Sequence, residues 1–317
     1  MSILGTVAKK IIGDNILLRS LVLKDYIQGN YIKATAMTLW MFPLRNVVKL
    51  DSPIRKFDIF TSGDYYSELQ KLLHISKPEG FDFVRIGREH DGGYIMLDDF
   101  HAGDVAYSFG IRDDVSWDKD MTSRGYDVFM YDHTIDGLPE ENPRFHWSKL
   151  GIADGKTQDV RLKTLDELIR TNHHENTRNM ILKMDVEGAE WGFLKQVSSE
   201  ILSQFSQIAL ELHWIISGRE QETILNSLKQ LNKTHQLVHI HPCNFGNYIT
   251  VGGKKFPDIL QALYVKRGSY SCDMNYDVNL PLPIDNTDLD SAPEIELGQW
   301  NEYAEIGERF TANVLAV

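Results

Sequence analysis

Cysteine is scarce in this chain. Its 317 residues contain two cysteines, Cys243 and Cys272, which lie far apart and show no metal-ligand spacing. This scarcity argues against a disulfide framework and against a zinc cluster. It favours a reducing compartment, and we therefore expect a cytoplasmic protein.

Long apolar runs are lacking as well. The apolar stretch at residues 34–44 is shorter than the ~20 residues that span a bilayer, and Pro43 closes it. After Lys9 and Lys10, Gly13 interrupts the apolar residues before a signal-peptide core forms. We expect no secretion signal and no transmembrane segment. Peripheral membrane contact through basic N-terminal helices stays an alternative.

Positive charge is in deficit. The chain has 33 Lys and Arg against 45 Asp and Glu, a formal net charge of −12. Long-range repulsion from such a surface opposes binding to a polyanion, so we expect no nucleic-acid partner. With 42% hydrophobic and 25% charged residues, the composition is typical of a globular protein.

The chain divides into three predicted parts. Residues 1–80 read as an N-terminal helical appendage, which is also a candidate homodimer contact, and residues 271–317 as an irregular acidic extension. Between them, residues 81–270 alternate strand-like and helix-like segments, the pattern of a parallel sheet with crossovers. The predicted strands are 105–109, 126–131, 145–150, 180–184, 208–212, 237–240 and 259–265, and the predicted helices are 65–75, 115–124, 165–170 and 221–231.

Three carboxylates gather where one predicted strand ends. Residues 181–191 read Ile-Leu-Lys-Met-Asp-Val-Glu-Gly-Ala-Glu-Trp, so an apolar strand runs into Asp185, Glu187 and Glu190. Open α/β sheets bind ligands beyond the carboxyl ends of their strands, which makes Asp185 and Glu187 candidate site residues. Glu190 also fits the first turn of a helix, where a carboxylate complements the helix dipole.

This segment resembles the signature of the FkbM-type methyltransferases, a branch of the class I enzymes that use S-adenosylmethionine. The resemblance covers roughly residues 83–267 and leaves the N-terminal helices and the tail outside. It implies an α/β fold of the class I methyltransferase type, a Rossmann-like seven-stranded sheet with helices on both faces. It also implies S-adenosylmethionine as the cofactor.

The resemblance further implies where that cofactor lies. Phe109 and Gly110 fall where such folds place a glycine loop against the methionine part, although this loop has fewer glycines than usual. Ile152 lies in the segment that corresponds to the loop beside the adenine. Arg85, near an Asp-Gly-Gly-Tyr element that contains Gly92, is a candidate partner of the cofactor's carboxylate. A plain hairpin turn explains the same element equally well.

An acidic residue also ends the second predicted strand. Asp132 stands where nucleoside-binding sheets place the residue that hydrogen-bonds the ribose hydroxyls. Because dinucleotide-binding oxidoreductases share this feature, a nucleotide-dependent oxidoreductase is an alternative. No Gly-x-Gly-x-x-Gly run follows the first strand, which counts against it.

Two proton-handling residues end the fifth predicted strand. Glu211 and His213 project to the same side if the strand persists that far. With Asp185 they form a candidate metal site, since carboxylate and imidazole suit magnesium, manganese or zinc. Alternatively, His213 acts directly as the general base, because its unperturbed pKa lies near neutrality. The sequence leaves both roles open.

A histidine-rich segment follows on the next strand. His239 and His241 share one face, but no acidic partner lies nearby in sequence. We therefore expect substrate contacts from Asn244 and Asn247, whose amides suit sugar hydroxyls.

These features predict an S-adenosylmethionine-dependent O-methyltransferase whose catalytic residues are Asp185, Glu187, Glu211 and His213, with Asp185 also a candidate cofactor-binding residue. FkbM-like enzymes often methylate hydroxyls of sugars or polyketides, so the expected acceptor is a hydroxyl of a sugar, glycan or glycolipid precursor. A methyltransferase-fold binding module without catalysis is the non-enzymatic alternative.

Overall fold

A computed structural model describes residues 63–155, 157–216 and 220–302, and the backbone of residues 310 and 311. The predicted helices before residue 63, with their dimer and membrane contacts, lie outside the described residues. No helix in the described part of the chain has the length and apolar character needed to cross a membrane.

The described helices are α1 (Gly63–Leu72), α2 (Ser116–Ser123), α3 (Leu165–Thr171), α4 (Glu190–Gln196), α5 (Ser199–Leu202) and α6 (Gln221–Leu231). The described strands are β1 (Lys77–Pro78), β2 (Phe83–Ile86), β3 (Tyr94–Leu97), β4 (Val105–Phe109), β5 (Asp127–Tyr131), β6 (Phe145–Ser148), β7 (Gly151–Ile152), β8 (Leu162–Lys163), β9 (Met180–Met184), β10 (Phe205–Leu212), β11 (His235–Pro242), β12 (Tyr248–Val251), β13 (Lys254–Pro257), β14 (Leu260–Lys266), β15 (Cys272–Asp273), β16 (Asn279–Leu280), β17 (Gly298–Gln299) and β18 (Phe310–Thr311).

Seven strands form the central sheet, in the order β11-β14-β10-β9-β4-β5-β6. β14 runs antiparallel to both of its neighbours, and the other pairs are parallel. This confirms the predicted seven-stranded α/β sheet. Numbered along the chain, its order is 3-2-1-4-5-7-6, whereas dinucleotide-binding sheets follow 3-2-1-4-5-6. The inserted antiparallel strand therefore argues against the oxidoreductase alternative.

Different elements pack on the two faces of the sheet. Alternate residues of the strands, such as Tyr107 and Leu182, pack with buried residues of α1, α3, α4 and α6 in one apolar cluster. The residues between them, such as Ala106 and Ile181, pack with α2 and with the hairpin formed by β2 and β3. Strand periodicity thus sends successive side chains to opposite layers. Helices lie on both faces, as predicted, and the hairpin lies beside α2 on the second.

The C-terminal segment shares this core. Several apolar residues of its described part are buried with the sheet and α1: Val278, Leu280, Ile295, Leu297 and Trp300. The Trp300 indole N–H donates to the carbonyl of Leu73 over 2.8 Å. The tail therefore packs by these apolar residues and by long-range hydrogen bonds. The three-part division of the chain stays a prediction.

Candidate active site

The carboxyl ends of β4 and β9 touch. The Asp185 amide donates to the carbonyl of Phe109 over 3.0 Å. Gly110 follows with a φ of +77°, and a Cβ built on it would lie 1.6 Å from the Asp185 carbonyl oxygen. Only glycine fits this crossing, because the left-handed backbone and the contact both exclude a side chain. The predicted cofactor loop and the predicted catalytic strand end are thus in direct contact.

Lys183 also holds the loop at Gly110. Its side chain is buried, and its Nζ donates to the Gly110 carbonyl over 2.7 Å. The same Nζ lies 5.4 Å from the centre of the Tyr94 ring, within the range of a cation–π contact. Lys183 therefore joins the glycine loop to the hairpin that covers this face of the sheet.

Shortly after each of three strands, the chain passes through a residue other than glycine whose backbone is in the left-handed region. Arg112 after β4, Glu187 after β9 and Trp214 after β10 have φ values of +52°, +55° and +62°. Each such conformation costs about 1–3 kcal/mol and persists where surrounding structure imposes it, as it does at functional sites. The three strained residues therefore mark the carboxyl edge of the sheet as the candidate site.

Asp132 is saturated by hydrogen bonds from the protein. Its Oδ2 accepts from the amides of Ile111 and Arg112 over 3.0 and 2.9 Å, and its Oδ1 accepts from the Thr134 amide and hydroxyl over 2.8 and 2.6 Å. Burial raises the pKa of Asp132, but these bonds outweigh burial and the net pKa is lowered. A carboxylate has about four acceptor sites. Asp132 thus holds the loop after Gly110, and its ribose role stays a prediction.

His213 is the centre of the acidic cluster. It is 2% exposed, and its Nδ1 lies 3.2 Å from Glu190 Oε1. Its Nε2 lies 3.4 Å from Glu211 Oε1, 3.6 Å from Glu187 Oε2 and 3.9 Å from Asp185 Oδ1. The four residues predicted to be catalytic therefore converge on one imidazole. One atom from each of Asp185, Glu211 and His213 lies within 4.8 Å of the others.

The crowding of like charges shifts several pKa values in this cluster. Burial and the neighbouring Asp185 carboxylate raise the pKa of Glu211 to about 8, although His213 opposes the shift. Burial lowers the pKa of His213, but the carboxylates of Glu190 and Glu211 outweigh burial and raise it well above its usual value. Burial also raises the pKa of Glu187. Such perturbed groups are typical of functional sites.

Two residues of the cluster escaped the sequence analysis as site residues. Tyr94 on β3 is buried, and its hydroxyl lies 3.4 Å from both Asp185 Oδ2 and Glu211 Oε2. Burial raises the pKa of its phenol, which therefore keeps its proton. Glu190 is fully buried, and its Oε1 also accepts from the Val186 amide over 2.9 Å. The Asp-Gly-Gly-Tyr element could have indicated Tyr94 as a site residue. Glu190 could have been indicated by its position as the third carboxylate of residues 181–191.

Other predicted site residues lie outside this cluster. Arg85 donates to the carbonyls of Arg88 and His90 over 2.9 Å each, so it braces the turn of the hairpin. A Cβ on Gly92, in that turn, would lie 2.1 Å from Asp114 Oδ2. Ile152 is buried in β7, which pairs with β8. The cofactor roles of these residues stay predictions.

Two of the three histidines of β11, His239 and His241, have acidic partners from the tail. His239 Nε2 lies 3.0 Å from Asp285, and His241 Nε2 lies 3.2 Å from Glu294. Asn244, expected to contact substrate, instead donates to the carbonyls of Leu289 and Ala292. Asn244 and these histidines therefore anchor the tail.

Comparison with known proteins agrees with this geometry. A family model described as "Methyltransferase FkbM domain" matches residues 118–276. Among solved structures, the chain titled "Putative hemolysin from Streptococcus thermophilus" is 12% identical, with a TM-score of 0.28 over 56% of this chain and 73% of that one. That similarity is too low to carry a conclusion. No curated protein matches the chain.

Proposed function

The chain belongs to the FkbM methyltransferase family, and from this premise we propose that it transfers a methyl group from S-adenosylmethionine to a hydroxyl of a sugar, glycan or glycolipid precursor. One observation carries the proposal. Asp185, Glu211 and His213 converge at the carboxyl edge of the sheet, and Asp185 touches the Gly110 loop. A proton-accepting cluster thus lies beside the loop expected to hold the methyl donor.

The loop after β4 suits a cofactor. Gly110 presents backbone without a side chain, Asp132 fixes the two following amides, and Lys183 fixes the Gly110 carbonyl. A loop restrained at both ends loses little conformational entropy when a ligand binds. S-adenosylmethionine, when bound, supplies an electrophilic methyl group. The chain's own task is to align an acceptor oxygen with it and to receive the proton.

The acidic cluster has two candidate roles in handling that proton. Glu211 or His213 receives it directly in the fraction of the protein in which that group has lost its own proton, or the same side chains with Asp185 would hold a divalent metal ion that lowers the pKa of the hydroxyl. Both roles place the acceptor oxygen at this edge of the sheet. Both also make Asp185 and His213 essential.

The charge of the cluster favours an uncharged acceptor. Four carboxylates lie within 4 Å of one imidazole, so an anionic group would meet repulsion in a site of low dielectric. Sugar hydroxyls are uncharged and donate hydrogen bonds, and carboxylates accept them. This electrostatic argument supports a neutral, hydroxyl-rich acceptor over a phosphorylated one.

Calorimetric titration with S-adenosylhomocysteine tests the cofactor first. We expect saturable binding at one site of the full chain. Radiolabelled methyl transfer to a panel of methyl glycosides then tests the acceptor class, with Asp185→Ala and His213→Ala as variants and the exposed Asp136→Ala as the control. We expect the first two to lose at least 100-fold in rate and the control to be unchanged. Methylation at the wild-type rate in both site variants would refute the assigned site.

A further inference from the structure

The cluster around His213 holds more negative charge than its own partners neutralise. In the described part of the chain, Asp185, Glu187, Glu190 and Glu211 form ion pairs with His213 and with no lysine or arginine. The buried Glu190 and Glu211 and the partly exposed Asp185 and Glu187 thus share one imidazole as their basic partner. Buried charges normally have a partner or a metal ion. The imbalance calls for a further cation.

Glu190 fixes the orientation of the imidazole. An ionised carboxylate only accepts hydrogen bonds, so the contact of 3.2 Å makes His213 Nδ1 the donor and Glu190 Oε1 the acceptor. The same oxygen accepts from the Val186 amide, which holds the carboxylate in place. His213 Nε2 faces Glu211, Glu187 and Asp185, and its lone pair would be available to a cation that took the place of the Nε2 proton. A ring nitrogen bonded to a carboxylate is how proteins orient a histidine that ligates a metal ion.

Glu190 supplies a second observation. Its side chain is fully buried, and within the described residues its Oε2 has no hydrogen-bond partner. An unsatisfied buried oxygen of this kind is destabilising, so its retention needs an explanation. Orientation of His213 gives one, because a neutral residue would form the contact with His213 less strongly.

The spacing suits one ion. The ligand atoms of Asp185, Glu211 and His213 lie within 4.8 Å of one another. Two ligands on opposite sides of a magnesium ion lie about 4 Å apart. Small side-chain movements therefore suffice to bring all three onto one ion, and Asp185, which is partly exposed, gives access to it.

We infer that Asp185, Glu211 and His213 bind one hard divalent cation, magnesium or manganese, and that Glu190 is the positioning residue that orients His213 toward it. This inference rests on the proposed function, since it deepens the role of the same cluster. Two carboxylates and one imidazole suit magnesium or manganese, whereas zinc sites favour more nitrogen and sulfur ligands. Such an ion would have open coordination positions for the acceptor hydroxyl.

Manganese binding to the full chain tests the inference without an acceptor. The protein is stripped with EDTA, and the loss of the free Mn²⁺ signal is followed by electron paramagnetic resonance, with and without S-adenosylhomocysteine. We expect one saturable site from which Mg²⁺ displaces Mn²⁺. Asp185→Asn and Glu211→Gln should abolish saturation. Glu190→Gln should weaken affinity about tenfold or more, as loss of an orienting carboxylate does at other metal sites.

The controls separate the metal from the fold and from the cofactor. Asp113→Asn changes an exposed carboxylate at the same edge, paired with Arg112, and should bind Mn²⁺ like the wild type. Urea unfolding of each variant reports whether it is folded. If the wild type binds S-adenosylhomocysteine but not Mn²⁺, the metal site is overturned and the proposed function survives with a direct base. If it binds Mn²⁺ but not S-adenosylhomocysteine, the metal site stands and the proposed cofactor fails.

Two further outcomes bear on parts of the inference. Displacement of Mn²⁺ by Zn²⁺ but not by excess Mg²⁺ would overturn the choice of a hard ion. Wild-type Mn²⁺ affinity in Glu190→Gln, with binding lost in Asp185→Asn, would overturn the orienting role of Glu190.

Discussion

Two buried carboxylates end two strands of the sheet, Asp132 after β5 and Glu211 on β10, yet their surroundings differ. Asp132 receives four hydrogen bonds, which bring its pKa below the usual range despite burial. Glu211 lies beside Asp185 in a buried site, and its pKa is raised to about 8. A carboxylate surrounded by donors stabilises structure, whereas one crowded by like charge is set for binding or proton transfer. The rigid side of the proposed site is therefore the loop that Asp132 holds, where the cofactor is expected. The strained side is the cluster of like charges around Glu211, where the acceptor is expected.

Gly110→Ala should have the largest effect, since it disrupts the loop that Asp132 and Lys183 hold. The added Cβ would meet the Asp185 carbonyl at 1.6 Å in a left-handed backbone. We expect loss of S-adenosylhomocysteine binding and a free energy of unfolding lower by about 3 kcal/mol or more. Gly103→Ala is the matched control, because Gly103 also has a positive φ but no atom within 4 Å of the added Cβ. Urea unfolding should show a loss of only about 1 kcal/mol there. Equal losses would mean that the contact with Asp185 is unimportant.

Glu211→Gln tests the strained side. The amide keeps the size of the side chain and cannot ionise beside Asp185. We expect methyl transfer to fall about 100-fold, while the free energy of unfolding stays equal or rises by about 1 kcal/mol, as at other sites where function and stability conflict. Rates of methyl transfer and urea unfolding on the same preparation check both. A marked loss of stability would show that Glu211 supports the fold, as Asp132 does.

Asp132→Asn tests the rigid side, where we expect a loss of stability. The amide nitrogen cannot accept from backbone N–H groups, so we expect the free energy of unfolding to fall by about 2 kcal/mol at pH 7. Because the folded pKa of Asp132 is lowered, its contribution is present above the unfolded pKa, about 3.9, and is lost as pH falls through the folded value. The difference from wild type should therefore shrink below about pH 4. The exposed Asp98→Asn provides the control, and a difference that grows in acid would contradict the reasoning.

Tyr94→Phe should have the smallest effect. The phenol lies 3.4 Å from both carboxylates, a weak hydrogen-bond distance, so its loss should cost about 1 kcal/mol. We expect methyl transfer to fall about fivefold with unchanged binding of S-adenosylhomocysteine, measured by calorimetry. A parallel loss of cofactor affinity would show instead that Tyr94 acts through Lys183 and the Gly110 loop.

The sequence predicts the acidic cluster because of a property of parallel sheets. Asp185 and His213 each follow a strand and Glu211 lies near the end of one, and the carboxyl ends of neighbouring parallel strands share one edge. The strands at 105–109 and 180–184 and the helix at 221–231 agree with the structure residue for residue, since their apolar patterns are continuous. Local pattern and strand order together therefore locate the site.

Long-range packing sets the rest. Tyr94 reaches Asp185 across 91 residues, because the hairpin docks on the sheet. The acidic partners of His239 and His241 lie 46 and 53 residues further along the chain. No local periodicity encodes such contacts, so a search for neighbours in sequence finds no partner for these histidines.

The position of β14 also has a consequence for the order of assembly. β6, β5, β4, β9 and β10 adjoin one another in the sheet and are all synthesised before β11. β11 is made before β14, yet β14 is the strand that joins it to β10. Chains fold from the N-terminus as they emerge from the ribosome. Until residues 260–266 emerge, the growing sheet ends at β10. This strand is buried in the finished protein, but at that stage its edge is unpaired, and such an edge is prone to misassociation.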